Sequence, residues 1–327
     1  MQMNGSILIS QPSFIVLDVL TFPRSGPWRM MLLASVGLVP LATCANLMVL
    51  CACVLRRFDK PMVLYIALTA VADSLWIMIF MSTVFRTLLV GRRQLSFPEC
   101  LAQVYVIDLI YVEQAIIFWI MDIDRHWAVF HPFSHVAWAS QRHRALIQVG
   151  SATAVVAMII AVYPILAFQL QFCSFEVVIF DALCTLEIMV RTACGRQTAP
   201  DIVMLVIASS ILTLIAGTLS YSYWRIVSTY GCAAGTLDVK SKALHTCGTQ
   251  AMVFALKFFT GFALILINRM EEDQGALRFM LTIMMVCVPS CANPLVYGLR
   301  TKEIWDPLAT VRTSRSSNQP QILPLTC

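Results

Sequence analysis

The sequence predicts an all-α membrane protein, a bundle of seven transmembrane helices followed by a short amphipathic eighth helix. Its 327 residues are 59% hydrophobic and only 13% charged, whereas a soluble domain carries about 25% charged residues. The charged residues also fall between apolar runs, and each run is long enough to cross a bilayer as a helix of roughly 20 residues. We therefore expect the chain to lie in a lipid bilayer.

Seven apolar runs of this length follow one another, at 30–55, 61–85, 100–127, 145–168, 202–224, 243–268 and 279–299. Only helices and closed barrels satisfy their backbone groups in lipid, and these runs lack the alternation of barrel strands. We expect one domain over 30–310, an N-terminal segment over 1–29 and a polar, disordered tail over 311–327. Residues 301–308 can form the eighth helix on the membrane surface, with Pro307 in its last turn.

The orientation follows from the flanking charges. If the N-terminus is extracellular, thirteen of the 23 Lys and Arg residues flank the cytoplasmic ends of the runs and nine flank the other ends, which is the usual bias. Asn4 begins a glycosylation acceptor, Asn-Gly-Ser, which agrees with an extracellular N-terminus. We expect a multi-pass plasma-membrane protein with a cytoplasmic C-terminus.

Several function classes are not supported by the residues. The net charge of +5 is dispersed, so nucleic acid is not an expected partner. The chain has no nucleophile elbow, no phosphate-binding glycine loop and no paired catalytic carboxylates, which argues against an enzyme and against a bound cofactor. The His residues are scattered, and no metal-ligand spacing is present.

Polar residues at membrane depth indicate where a mechanism lies, because buried ionisable groups are costly there and tend to be functional. Asp124 and Arg125 stand at the inner end of the third run, where the acid can hold the guanidinium in a closed arrangement. Asn293 and Pro294 stand at the inner end of the seventh run, where the proline introduces a bend. Tyr297 can then turn its hydroxyl into the bundle.

Asn46 in the first run and Asp73 in the second are the polar partners expected at this bend. They can bond to it directly, through water or through a sodium ion near Asp73. The alternative is that both residues only join helices together.

Taken in order, these residues resemble the marks of rhodopsin-like G-protein-coupled receptors. The matching set is Asn46, Asp73, Asp124-Arg125, Pro164, Tyr221 and Asn293-Pro294-Leu295-Val296-Tyr297. The resemblance implies a rhodopsin-like bundle with an activation switch. The switch residues that it implies are Asn46, Asp73, Asp124, Arg125, Tyr221, Asn293, Pro294 and Tyr297.

Four segments look like vertebrate odorant receptors, particularly the fish type, and the resemblance spans 45–307. Residues 60–62 read KPM, 121–132 read MDIDRHWAVFHP against MAYDRYVAICHP, 220–221 read SY, and 242–247 read KALHTC against KAxxTC. The resemblance implies a small-molecule odorant as ligand and a heterotrimeric G protein as partner.

The chain also departs from that pattern. His126 and Phe130 replace a Tyr and a Cys, and the first run lacks the Gly before Asn46. The Phe-Tyr-Gly-Thr of the sixth helix becomes Lys257-Phe258-Phe259-Thr260. An acid of the third helix stands one place early, at Glu113, and either replaces that acid near Asp73 or bonds to a neighbouring helix.

Four of the twelve cysteines fall on the expected outer side, Cys100, Cys173, Cys184 and Cys194. The secretory lumen is oxidising, so these are the candidates for disulfides, and four cysteines allow three pairings. The resemblance implies Cys100 with Cys184 and Cys173 with Cys194.

A ligand would lie between helices in the outer half of the bundle. The candidates are Tyr105, Asp108, Tyr111 and Val112 of the third run, with Ile107 beside them, and Phe254, Lys257, Phe258 and Gly261 of the sixth. Asp108 either serves as the counter-ion of a cationic amine or pairs with Lys257 across the bundle. The competing functions are a rhodopsin-like receptor for a biogenic amine or lipid and, from another class, a membrane transporter.

Overall fold

The computed structural model describes residues 11–17, 26–58, 60–90, 93–139, 142–179, 181–195, 197–230, 237–267 and 275–300. Within these residues the elements are, in order, β1 (Phe14–Leu17), α1 (Gly26–Leu55), α2 (Pro61–Val90), β2 (Arg93–Leu95), α3 (Phe97–Phe130), α4 (Pro132–Ala139), α5 (Arg142–Ile160), α6 (Val162–Phe168), β3 (Glu176–Ile179), α7 (Leu186–Thr192), α8 (Thr198–Tyr230), α9 (Leu237–Ile267) and α10 (Gly275–Arg300).

The seven-helix bundle is confirmed. Six spans of the described chain are long and apolar enough to cross a membrane, and the fourth of them, His143–Phe168, combines α5 with α6. The seventh membrane helix is α9, whose apolar part Met252–Ile267 is shorter. The helices extend beyond the apolar runs because polar residues at their ends continue the backbone hydrogen bonds into water. The predicted eighth helix, the tail and Asn4 lie outside the described residues.

The fourth span is divided near Pro164. Proline has no backbone N–H and its ring clashes with the carbonyl of the residue four places earlier, which is Ile160, where α5 ends. Ala161 keeps helical dihedral angles and its N–H still bonds to the carbonyl of Ala157 at 3.1 Å. The interruption is thus short, and α6 continues the path of α5.

The helix α3 is the centre of the bundle. It packs against α2, α4, α5, α6, α8 and α9, and its buried face includes Val104, Ile107, Gln114, Phe118 and Met121. Ser96 and Glu99 form a reciprocal capping box at its start, which fixes the first turn. Residues on α3 are therefore within reach of most other helices.

One end of the bundle, here called the disulfide end, carries both disulfide bonds. Cys100 at the start of α3 is joined to Cys184, and Cys173 is joined to Cys194, with Cα–Cα distances of 5.6 and 5.4 Å. These are the pairs that the resemblance implied. The first ties the segment between α6 and α8, here called the loop 170–197, to the start of α3, and the second joins two points within this loop.

A small sheet strengthens the same end, and the apolar pattern did not predict it. The strand β1 lies in the middle, antiparallel to β2 and parallel to β3. Its side chains at Ile15, Val16 and Leu17 are fully buried. The segment before α1 is thus packed onto the loop 170–197.

The opposite end, here called the Arg125 end, carries the short helix α4 between α3 and α5. The helix begins at Pro132, directly after His131 caps α3 by bonding back to the carbonyl of Trp127. None of the side chains of α4 is buried. This helix was not predicted either, because its eight residues are too few to show an apolar period.

Candidate ligand cavity and switch residues

A cavity lies beneath the loop 170–197, between α2, α3, α6, α8, α9 and α10. Its volume is about 80 Å³. A single water molecule needs about 10–15 Å³ by the same measure, so the space is large enough for one small organic molecule. Its lining is mostly apolar and includes Trp76, Ile107, Val112, Tyr163, Leu183, Ile188, Met204, Ile207, Ala208, Ile211, Phe258, Phe262, Leu264, Ile265 and Met285.

Five of the eight predicted ligand residues line this cavity, namely Asp108, Tyr111, Val112, Phe258 and Gly261. The other three lie outside its lining. The Tyr105 hydroxyl points to the carbonyl of Ala157, at 3.4 Å. Phe254 packs against Phe258 one turn nearer the Arg125 end, with 4.5 Å between ring centroids. Lys257 is buried with its ammonium 5.4 Å from the centroid of the Tyr111 ring.

The eight ligand residues predicted from the sequence all lie on α3 and α9, and the other walls of the cavity were not predicted. Asp181, Thr185 and Glu187 enter from the loop 170–197, and Arg278 and Thr282 enter from α10. The pairing of Cys184 with Cys100 was the signal in the sequence that could have placed the loop residues at the cavity, because this bond fixes residues 181–187 over the start of α3. Loop residues carry no periodic pattern, so apolar spacing could not place them.

Glycine at 261 makes room for Tyr111. A Cβ atom at position 261 would meet the Tyr111 hydroxyl, and the ring carbon that bears it would be 3.0 Å away. Tyr111 also packs against Phe258 with 5.7 Å between centroids. The close approach of α3 and α9 thus depends on the missing side chain.

Acidic groups dominate the charge of the cavity. Asp108 and Glu187 both line it and interact electrostatically. The Oδ2 atom of Asp108 is buried and has no hydrogen-bond partner in the described chain. No ion pair joins Asp108 to Lys257 among the described residues, and Lys257 instead interacts with Asp73. Burial raises the pKa of Glu187, while a hydrogen bond with the Thr185 side chain opposes the rise.

The third carboxyl group of the cavity has a basic partner. Asp181 Oδ2 lies 3.7 Å from Arg278 Nε, and both side chains are buried. Asp181 also accepts hydrogen bonds from the Ala182 N–H at 2.6 Å and the Thr282 hydroxyl at 3.3 Å. Burial raises the pKa of Asp181 to about 6, although Arg278 and these hydrogen bonds act in the opposite direction. This group of contacts joins the loop 170–197 to α10.

A polar network joins four helices in the middle of the bundle. Asp73 accepts hydrogen bonds from Gln114 Nε2 at 2.8 Å and from Asn293 Nδ2 at 2.7 Å. Asn46 donates to the carbonyl of Ser290, one turn before Pro294, at 2.9 Å. The carbonyl of Ser290 is the one that Pro294 leaves without a helical donor. The side chain of Tyr297 lies outside the described part.

Glu113 is outside this network. Its Oε1 atom accepts a hydrogen bond from the Thr153 hydroxyl of α5 at 2.6 Å, so of the two alternatives it takes the bond to a neighbouring helix. Gln114 takes the place beside Asp73. Asp122 of α3 accepts a hydrogen bond from the Ser222 hydroxyl of α8 at 3.3 Å.

At the Arg125 end, the predicted switch residues lie next to a group of rings. His126 packs against Phe130 and against Tyr221, with centroid distances of 4.6 and 5.6 Å. The Arg225 guanidinium lies 5.1 Å from the centre of the Phe130 ring. Beside Arg125, the Asp124 Oδ1 atom lies 2.9 Å from His135 Nε2 of α4. Within the described residues no group of three or more His, Cys, Asp or Glu side chains could hold a metal ion.

Comparison with known proteins decides the family. The model of the olfactory receptor family matches residues 38–314. The chain belongs to the olfactory receptor family. It is similar to human olfactory receptor 56A5, at 27% identity over 88% of this chain and 91% of that receptor. Mouse olfactory receptor 56B34 is 25% identical over 89% of each chain. Human olfactory receptor 1L8 is 24% identical over 94% of this chain and 97% of its own length.

This olfactory receptor is an odorant-type chemosensory G-protein-coupled receptor and a multi-pass protein of the plasma membrane. It is not an enzyme. The family resemblance in its sequence is thus confirmed, whereas the particular likeness to the fish-type members stays a prediction. The alternatives of an amine or lipid receptor of another family, and of a transporter, receive no support from these comparisons.

Proposed function

We propose that this olfactory receptor detects a small odorant that carries an amine, held in the cavity beneath the loop 170–197. The observation that supports this ligand is the unpartnered Asp108 oxygen beside Glu187 in an apolar cavity. A protonated amine would donate hydrogen bonds to both carboxylates and neutralise their mutual repulsion. The apolar walls and the small volume favour a short hydrocarbon portion.

We propose that the disulfide end faces outside and that the Arg125 end faces the cytoplasm. Disulfides form in the oxidising lumen of the secretory route, and the bias of Lys and Arg toward the Arg125 end agrees with this orientation. The odorant then reaches its cavity from outside, and the G protein meets the opposite end.

Activation is a shift between two packings of the bundle. Tyr111 and Gly261 line the cavity, and α3 and α9 pass from there to the Arg125 end. A ligand that changes the approach of α3 to α9 therefore changes how the inner ends of α3, α8 and α9 pack. Opening of those ends separates Tyr221 from His126 and makes Arg125 accessible to a heterotrimeric G protein.

The test uses pairs of ligands that have the same shape, one a primary amine and the other the matching alcohol. Cyclic AMP is measured in cells that express the receptor with an olfactory-type G protein. We expect a response to an amine, and we expect Asp108→Asn and Glu187→Gln each to raise the amine concentration needed for half response by about tenfold or more, because a charged hydrogen bond contributes about 1.5–3 kcal/mol.

Two variants serve as controls for the test. Glu113→Gln changes an acid on the same helix whose carboxyl bonds to Thr153 outside the cavity, and it leaves the amine response unchanged. Arg125→Ala abolishes the response at equal surface expression. An alcohol that acts as strongly as its amine, or an Asp108→Asn receptor with full amine sensitivity, contradicts the proposed ligand.

A further inference from the structure

A second, larger cavity lies at the Arg125 end, on the side of the bundle where α3, α4 and α5 meet. Its volume is about 520 Å³. The residues that line it are Ile120, Ile123, Asp124, Trp127, Trp138, His143, Arg144, Ile147 and Gln148. It is separate from the ligand cavity and shares no residue with it.

The cavity opens toward the perimeter of the bundle. Ile123 on α3 and Ile147 on α5 are 38% and 65% exposed, which places apolar side chains at its mouth. In a protein that spans a membrane, such a surface meets lipid chains. The occupant of this cavity therefore has an apolar part that comes from the bilayer.

The rings at the cavity are typical of the membrane boundary. Trp127 and Trp138 pack together with 5.5 Å between centroids, and both line the cavity. Indole rings accumulate where lipid chains meet headgroups, since one part is apolar and the N–H bonds to polar groups. The helix α4 also lies at the membrane boundary. Its residues Phe133 and Val136 stand three places apart on one face and are 91% and 67% exposed, as expected of an apolar face that contacts lipid.

The charge of the cavity indicates the headgroup. His143 and Arg144 both line it and are exposed, and neither has a hydrogen-bond or ion-pair partner among the described residues. The one acid, Asp124, is already bound to His135. Gln148 accepts from the Tyr65 hydroxyl with its oxygen, which leaves its amide nitrogen to donate. These groups suit a phosphate oxygen together with a negative headgroup.

We propose that the cavity between α3, α4 and α5 binds an anionic phospholipid of the cytoplasmic leaflet, with its headgroup on His143 and Arg144 and an acyl chain along Ile123 and Ile147. The leaflet follows from the orientation given above, whereas the binding itself does not depend on the odorant or the G protein. Anionic lipids are the ones that gather on the cytoplasmic side, where each basic residue attracts them.

The experiment is a titration of the purified, delipidated full-length receptor in detergent with phosphatidylserine or phosphatidylcholine, read by native mass spectrometry. We expect phosphatidylserine to bind more tightly than phosphatidylcholine. Arg144→Gln weakens phosphatidylserine binding by about fivefold, the effect of one basic residue near an anionic surface, and weakens phosphatidylcholine binding less, because that headgroup has no net negative charge. The double variant Arg144→Gln and His143→Gln loses more phosphatidylserine binding than Arg144→Gln alone.

Three controls separate the cavity from general surface charge. Arg57→Gln removes an exposed basic residue that follows α1 at the same end of the bundle but lies outside the cavity. This variant keeps full phosphatidylserine binding. Ile147→Trp fills the mouth without changing charge and weakens binding of both lipids. The water-soluble headgroup glycerophosphoserine does not displace the lipid, because it lacks the apolar part.

The proposal is overturned if Arg144→Gln binds phosphatidylserine as tightly as the unmodified receptor, or if Arg57→Gln loses as much. It is also overturned if Ile147→Trp, with an unchanged melting temperature, binds both lipids as before. None of these readouts uses an odorant, so a failure here is distinct from a failure of the proposed ligand.

Discussion

The disulfide end and the Arg125 end of this olfactory receptor are held together by different interactions. At the disulfide end, the Cys100–Cys184 disulfide and the buried pair of Asp181 and Arg278 join the loop 170–197 to α3 and α10. The second disulfide closes this loop on itself, and the three-stranded sheet joins it to the segment before α1. At the Arg125 end, α3 and α8 share a ring contact between His126 and Tyr221, the Arg225 guanidinium over the Phe130 ring, and a hydrogen bond from Ser222 to Asp122. Tyr221 is 53% exposed.

The difference separates two tasks. Covalent and charged contacts at one end keep the ligand cavity in a single shape, so that a small molecule can be distinguished from similar ones. Ring contacts contribute only about 0.5–1.5 kcal/mol per pair, and a population shift needs an equilibrium that a ligand can move. The end that we propose meets the G protein is therefore held by the interactions that are easier to exchange.

The largest expected effect comes from the covalent bond of the disulfide end. Cys100→Ser removes the disulfide to Cys184, and loss of a native disulfide costs about 2–5 kcal/mol. We expect most of the folded receptor to be lost, measured as surface expression and as the melting temperature of purified protein. Cys51→Ser changes an exposed free cysteine and leaves both values unchanged. Equal melting temperatures of the two variants would remove the contrast between the ends.

A smaller effect is expected where α3 and α9 approach each other. Gly261→Ala places a methyl group against Tyr111, and such overpacking costs about 1–3 kcal/mol. We expect the odorant concentration for half response to rise about tenfold, since 1.4 kcal/mol is a factor of ten.

Addition of Tyr111→Phe removes the hydroxyl that the methyl group meets, so the double variant recovers much of this loss. Gly217→Ala is the matched control, because no atom lies within 4 Å of a Cβ there. If the double variant needs as high an odorant concentration for half response as Gly261→Ala alone, the contact with the hydroxyl is not the cause of the loss.

The charged pair at the disulfide end predicts a dependence on pH. The pKa of Asp181 is about 6 in the folded receptor and 3.8 as its ordinary value, so the folded state holds the proton more tightly than the unfolded chain. The stability from this group is present below the lower value and is lost as pH rises through about 6. We expect the receptor to lose on the order of 1 kcal/mol between pH 5 and pH 7 from this source.

Asp181→Asn removes that part of the pH dependence while it still accepts the bonds from Ala182 and Thr282. The measurement is the melting temperature at both pH values. Glu176→Gln, a change at an exposed acid of β3, leaves the difference as in the unmodified receptor. A pH dependence that is identical in Asp181→Asn contradicts the role of this group.

The smallest expected effect tests the rings of the Arg125 end. Phe130→Cys restores the family residue and removes the contacts with His126 and Arg225, at about 0.5–1.5 kcal/mol. If these rings favour the closed packing, basal cyclic AMP rises a few-fold at equal surface expression. Phe259→Cys, a change at a ring that is 67% exposed on α9, has no such effect. An unchanged basal level in Phe130→Cys would mean that the rings do not hold this end closed.

The sequence predicted the helices well because an apolar run of bilayer length permits few other structures. It also named Asp73, Asn293 and Asn46 as partners, and in the structure Asn293 bonds directly to Asp73 while Asn46 bonds to the Ser290 carbonyl of the same helix, α10. It could not place Asp181 or Glu187 in the cavity, since their positions depend on how two disulfides fold a loop back over the bundle. The strand β1 was missed for a similar reason, because its partners are distant in the chain.

The position of β1 in the middle of its sheet has a consequence for biosynthesis. Its partner β2 begins at Arg93, and its other partner β3 ends only at Ile179. Four membrane spans, up to Phe168, are therefore made before β1 can pair on both sides. Until then, the segment with Ile15, Val16 and Leu17 presents at least one unpaired edge, which can pair with other chains. The start of this receptor is thus open to wrong strand pairing until the middle of the chain has been synthesised.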